Sequence, residues 1–177
     1  MKYFKVFYFT ILFFALISQA FDLPKNIQKK VDKEIKSTYE IDQFLLEPIS
    51  ISEELNLKLP TKINRTLFKI LNGDNLLGYA FVGKAFGKAD DFEFLVLFDK
   101  NLVITKTKVL IYREDYGGEI GSKRWLQQFI GKSKEDNLVY EQDIIGISGA
   151  TISANAMTVA VNNLLKSINV LQLNKII

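Results

Sequence analysis

Between Arg65 and Tyr112 four apolar runs are separated by short turn sequences, and this pattern commits the stretch to an antiparallel sheet. Arg65–Leu71 and Leu76–Val82 flank Asn72-Gly73-Asp74-Asn75, which has the residues of a hairpin turn. Phe92–Phe98 and Leu102–Tyr112 flank a second turn, Asp99-Lys100-Asn101. In the last run Val103, Thr105, Thr107, Val109 and Ile111 alternate with Ile104, Lys106, Lys108 and Leu110, a period of two that suits a half-exposed strand. Four strands with short connections make a meander.

Helical patterns lie on both sides of it. Pro24 opens a helical stretch to about Tyr39, with Ile27, Val31, Ile35 and Tyr39 in one apolar stripe. Lys25, Lys29, Lys30, Lys33 and Lys36 occupy the other faces, where Asp32 and Glu34 dilute their charge, so a solvated face is expected there rather than a membrane surface. Residues 41–64, interrupted by Pro48 and Pro60, read as irregular. A Gly-rich loop, Asp115–Gly121, precedes a short helical segment from Ser122 to Phe129, and residues 131–142 read as polar loop. Met157, Val161, Leu164, Leu165 and Ile168 mark one face of a closing helix. The fold class that follows is α+β: an antiparallel β-sheet meander flanked by helices.

Two absences restrict the chemistry. The 177 residues include no cysteine, which removes thiol catalysis, disulfides, iron–sulfur clusters and thiolate zinc sites. They include no histidine, which removes His-ligated haem, the usual hydrolase triads and most transition-metal sites. The chemistry must come from carboxylates, hydroxyls or a bound cofactor, of which a cofactor is the strongest candidate, and neither a metal site nor a catalytic side chain is assigned. Without Lys2 and Lys5 the chain carries 21 basic residues against 20 acidic ones, so there is no electrostatic case for a nucleic-acid partner.

Lys2 and Lys5 belong to a short basic start, followed by an apolar run from Val6 to Ile17 and by Ser18-Gln19-Ala20. These are the three parts of a secretory signal peptide over residues 1–20, with cleavage before Phe21. An uncleaved anchor is the alternative, although the apolar run is shorter than the ~20 residues of a spanning helix. Both place the domain outside the cytoplasm. Asn64-Arg65-Thr66 has the spacing of a glycosylation acceptor and is expected to be a chance occurrence.

Ser148-Gly149-Ala150-Thr151-Ile152-Ser153 stands where a short apolar approach, Asp143–Ile147, turns into the closing helix. A helix start offers free N–H groups and the positive end of the macrodipole, which together favour an anion. Gly149 lets the backbone pass close to a ligand, Ala150 adds little bulk, and Thr151 and Ser153 bring hydroxyls. A phosphate ester on one hydroxyl would have its remaining charge stabilised by the helix amides. The bland reading makes Ser148 an N-cap, with Gly149 and Ala150 serving helix entry.

The Ser-Gly-Ala-Thr-x-Ser run resembles the flavinylation motif of the FMN-binding domain family, which includes the FMN-bearing subunits of sodium-pumping quinone reductase and Rnf complexes. Tyr112–Ile120 and Arg124–Lys132 resemble the midsection of that family, while Gly78-Tyr79-Ala80-Phe81 and Gly87-Lys88-Ala89-Asp90 resemble its preceding strands. The resemblance spans about residues 65–168 and implies an FMN-binding domain over residues 65–177, preceded by a helix and irregular segment over 21–64. It implies FMN held covalently by a phosphoester to Thr151, made from FAD by a flavin transferase. Ser148, Gly149, Ala150 and Ser153 would surround the attachment, and Glu114, Tyr116, Gly117 and Gly118 would lie near the flavin. The family usually has an acidic residue six positions before the acceptor. Here that position is Ile145, with Asp143 two residues earlier.

The function implied is electron transfer with a membrane redox partner, on the outer face of the membrane or in the periplasm. The alternatives are a flavin reductase acting on a small molecule and a non-redox binding or regulatory module. For Tyr112 and Trp125 a place among the core aromatics is the competing reading, and for Trp125 the preferred one.

Overall fold

The computed structural model describes residues 23–177, so the expected leader lies outside the described residues. Among these, no helix is long and apolar enough to cross a membrane.

Five strands pair in chain order, each antiparallel to the next. They are β1 (Leu45–Pro48), β2 (Leu67–Asn72), β3 (Asn75–Phe86), β4 (Asp91–Asp99) and β5 (Ile104–Ile111). The four expected strands are β2 to β5. The fifth, β1, falls in the segment expected to be irregular, as does a short helix, α2 (Glu53–Lys58). β1 escapes a pattern search because it is four residues long and contains Pro48. It lies at the sheet edge, where proline's missing N–H leaves no ladder bond broken. The buried Asn56 closes the passage from α2 to β2: its side-chain Oδ1 accepts the Ile63 N–H at 2.9 Å. Asn64 exchanges two hydrogen bonds with the backbone of Ile51, so its amide already has a structural task.

Both faces of the sheet are covered. Helix α1 (Lys25–Tyr39) lays Ile27, Val31 and Ile35 on Ile70, Ala80, Leu95, Leu97 and Leu110. Its last residue, Tyr39, donates its hydroxyl to the Phe98 carbonyl at 2.6 Å, and burial pushes that phenol up to about 12. On the opposite face Phe81, Phe92, Phe94, Val96 and Phe98 meet the closing helix α4 (Thr151–Leu173). Met157, Val161, Leu164, Leu165 and Ile168 are all buried there, as their spacing predicted. Each such side chain stabilises the fold by roughly 1.5–3 kcal/mol.

β5 departs from the simple alternation of its sequence. The register shifts between Glu93 and Phe94 and again between Leu97 and Phe98, leaving Leu110 and Thr105 as extra residues on β5. In consequence Ile104 packs on the α4 face and Leu110 on the α1 face, although six residues separate them. An unbroken strand would put both on one face.

Ser122–Phe129, expected to be helical, forms one α-turn, α3 (Lys123–Leu126), flanked by 3₁₀ turns at Gly118–Gly121 and Gln127–Phe129. Trp125 and Phe129 are buried and meet edge to face with centroids 5.3 Å apart. The core reading of Trp125 holds. The β3–β4 turn, the exit from β5 and the start of α4 converge at one end of the sheet.

Candidate functional site

A cleft of about 570 Å³ opens where those three segments meet. The β3–β4 turn supplies Lys88 and Ala89, the stretch after β5 supplies Tyr112 and Glu114–Gly117, and the α4 start supplies Gly149–Ser153. The size is that of an ordinary small-molecule site.

The α4 start is built as the sequence suggested, with one difference. Gly149 has a φ of +81°, the left-handed conformation that favours glycine, and it turns the chain from Ser148 into the helix. The N-cap position is Ala150, whose side chain makes no cap bond, and Ser148 is exposed two residues earlier. The capping role considered for Ser148 is therefore absent. The first helical bond runs from Ala154 N–H to Ala150 O, so the N–H groups of Thr151, Ile152 and Ser153 precede the ladder. α4 has no acidic residue in its first turn, so no side chain of that turn neutralises the dipole.

Thr151 and Ser153 differ in their surroundings. Thr151 is exposed on the cleft. Ser153 is only 3% exposed, and its hydroxyl lies 3.0 Å from the hydroxyl of Tyr112. Tyr112 also donates to the carbonyl of Tyr116 at 2.9 Å. A phenol has one hydrogen and a carbonyl can only accept, so Ser153 must be the donor to Tyr112. The Ser153 proton is thereby engaged.

Glu114 serves the backbone of the neighbouring turn. One carboxylate oxygen accepts the N–H groups of Ala89 at 3.0 Å and Asp90 at 3.3 Å. The Ala89 bond, followed by that of Asp90, holds this carboxyl below its usual range. Gly87 allows the arrangement, because a β-carbon there would run into that Glu114 oxygen and the Ser153 hydroxyl. Tyr116 stands at the mouth of the cleft with 85% of its surface exposed. Gly117, with a φ of +87°, has the Tyr112 hydroxyl where a β-carbon would lie.

Of the expected site residues the structure brings Thr151, Gly149, Ala150, Ser153, Glu114, Tyr116 and Gly117 to one cleft. Ser148 and Gly118 are adjacent in the chain but do not line it. The cleft is also lined by Lys88, Ala89, Asp115, Ile152 and Tyr112, which were not among the expected cofactor contacts, although all sit in stretches that the resemblance had marked. The contact of Tyr112 with Ser153, across 41 positions, was not foreseen.

Ile145, where the resemblance leads one to expect an acid, has its backbone tightly held. Gln128 accepts its N–H at 2.8 Å and donates to its carbonyl at 3.3 Å, and the Trp125 indole donates to the same carbonyl at 2.9 Å. Its side chain is 73% exposed. Asp143 accepts the Val139 N–H at 2.9 Å and so closes its own turn.

The donor set suits a phosphorylated aromatic ligand. Helix-start amides and a hydroxyl would meet a phosphate, and Tyr112, Tyr116, Ala89 and Ile152 offer apolar and aromatic surface to a ring. Among the described residues no group of His, Cys, Asp and Glu could hold a metal ion.

Comparison with known proteins agrees with this chemistry. Residues 87–166 match the model of the FMN-binding domain family, as the resemblance of Ser148–Ser153 and the midsection implied. No curated protein matches the chain. Among solved structures the chain is similar to NqrC of Shewanella oneidensis, at 15% identity, over 79% of this chain and 92% of that one, with a TM-score of 0.54. At that identity the likeness concerns the fold, which the five-stranded sheet and its flanking helices share.

Proposed function

From an FMN-binding domain over residues 87–166, we propose an exported electron-transfer flavoprotein whose FMN is esterified through its phosphate to Thr151. The observation that carries this reading is the contrast at the α4 start. Thr151 offers an exposed hydroxyl on the cleft beside three helix-start amides, while the Ser153 hydroxyl is buried and donates to Tyr112.

A flavin transferase joins Thr151 Oγ1 to the FMN phosphorus of FAD. The pyrophosphate bond breaks, AMP leaves, and the threonine proton is lost. The helix-start N–H groups of α4 would stabilise the remaining phosphate charge. Tyr112, Tyr116 and Ile152 would offer apolar and aromatic surface to the ring, and Lys88 would offer a cation at the rim. FMN supplies the electron chemistry, while the protein supplies position and electrostatics. Among the described residues none lining the cleft is a histidine or a cysteine, in keeping with a carrier that needs no side-chain nucleophile. The electron partner in this reading is a membrane redox protein. The basic and apolar leader with Ser18-Gln19-Ala20 supports a location in the periplasm or on the outer membrane face.

The test is production beside an active flavin transferase. The protein should gain the mass of FMN less one water and stay yellow after denaturation. Thr151→Ala should remove both signals and Ser153→Ala should keep the adduct. Loss of the adduct in Ser153→Ala but not in Thr151→Ala would reverse the assignment. Protein from its native envelope should begin at Phe21, and an intact Met1 would replace secretion by anchoring.

A further inference from the structure

Tyr112 sits where the two segments that line the cleft, the loop after β5 and the start of α4, meet. We propose that it is a positioning residue: its hydroxyl latches the loop carrying Tyr116 to the first turn of α4, so that the cleft's aromatic wall and the attachment threonine hold one geometry. This rests on the reading of the cleft as the FMN site.

The geometry is specific. The Tyr112 hydroxyl donates to the Tyr116 carbonyl at 2.9 Å and accepts from Ser153 at 3.0 Å, so it bridges two segments that are 37 residues or more apart. Its ring is fixed by Phe92 at a centroid distance of 5.8 Å, which leaves the hydroxyl little choice of direction. Gly117, buried and with its missing β-carbon against that hydroxyl, lets the loop come this close. One residue after the latch, Arg113 holds Glu93 and the Asp91 carbonyl, and Glu114 holds the β3–β4 turn through Ala89 and Asp90. The base of the loop is therefore secured twice to the sheet. Its tip, by contrast, is secured to the α4 start through Tyr112. Tyr116, at 85% exposed, has no packing of its own to hold it.

A buried serine whose proton points at a phenol is also a costly feature to keep without a purpose, because losing the phenol leaves it unsatisfied. The Tyr112–Ser153 pair gives that serine its partner, and it makes the loop position depend on α4. Flavin attached at Thr151 would in this way sense the same first turn that positions Tyr116.

The experiment has two arms. The first uses protein without flavin and measures amide hydrogen exchange at Ile120, whose N–H is bonded to the Gly117 carbonyl at the end of the loop, in the wild type and in Tyr112→Phe, which keeps the ring against Phe92. Loss of one hydrogen bond of ordinary strength should speed exchange there by about threefold to tenfold, with β4 amides unchanged. The second uses the fully flavinylated proteins, confirmed by mass. Tyr112→Phe should raise flavin fluorescence and lower its anisotropy and visible dichroism, with the adduct intact. Ser153→Ala, which keeps the Tyr116 contact, should move the flavin signals in the same direction with a smaller change at Ile120, and it serves if Tyr112→Phe folds poorly. Unchanged exchange in Tyr112→Phe overturns the latch. Faster exchange with unchanged flavin signals overturns its role in positioning. A wild type that takes up no FMN overturns the flavin reading instead, and the exchange arm separates that failure from a failure of the latch.

Discussion

Arg113 grips Glu93 with two parallel hydrogen bonds, 2.7 Å and 2.9 Å, from the two terminal nitrogens of its guanidinium to the two oxygens of the carboxylate. The pair ties the exit of β5 to β4 just below the cleft, and Lys84 adds a weaker contact at 3.6 Å. The hydrogen bonds from Arg113 hold the Glu93 carboxyl below its ordinary value of 4.5. A carboxylate whose folded value is lowered stabilises the fold fully above the unfolded value, and that contribution is lost as pH falls through the lowered folded value. Wild type and Arg113→Gln should therefore differ most in urea stability near neutral pH, and the gap should close as pH drops below 4.5. A gap that stays constant from neutral to acid pH would mean that Arg113 acts through packing alone.

Ile145 offers a clean test of what a flavin transferase reads. The backbone is clamped by Gln128 and Trp125 while the side chain is exposed, so Ile145→Asp should change stability by less than ~0.5 kcal/mol. The expected result is faster attachment of FMN by a generic transferase, read by mass against time. Asp143, already accepting the Val139 N–H, is poorly free to stand in for it. An unchanged rate in Ile145→Asp would show that the enzyme's requirement is met elsewhere.

Gly78 marks a contact that only glycine permits. A methyl group there would press on the Phe98 carbonyl and the Tyr39 hydroxyl, the two partners that seat the end of α1 on the sheet. Gly78→Ala should cost about 1–3 kcal/mol in denaturant unfolding. It should leave flavin attachment intact, since the cleft lies elsewhere.

A carrier and a reductase diverge in the four acid–base groups around the cleft and its approach: Glu114, Asp115, Glu119 and Tyr116. With every variant fully flavinylated, single replacements should shift potential or partner affinity modestly and leave chemical reduction intact. A reductase would lose ~10²–10⁴ of turnover at one of them. Glu114→Gln is the most informative, because the amide oxygen can still accept from Ala89 and Asp90 while the acid is gone.

Much of the fold was legible because its core faces are written locally. The four runs of the meander and the spacing of Met157, Val161, Leu164, Leu165 and Ile168 report burial directly. β1 was hidden because Leu45–Pro48 is too short to show a period and owes its conformation to β2. The bulges of β5 were hidden because an inserted residue leaves the sequence alternation looking whole while the pairing slips. At the site, the glycine turn into α4 could be read from Ser148–Ser153. The role of Tyr112 could not, since its partner lies 41 positions away and nothing in either residue's neighbourhood announces the other.

The length of α4 gives the molecule two unlike ends. At ~1.5 Å per residue, its 23 residues carry the chain about 33 Å away from Thr151. A tether, surface or label placed at the Leu173 end would leave the cleft facing outward and too remote for direct electron exchange with that support. If the proposed flavin sits at Thr151, only partners that approach that end would make redox contact, and the choice of immobilisation site would decide whether an electrode sees this protein as active or silent.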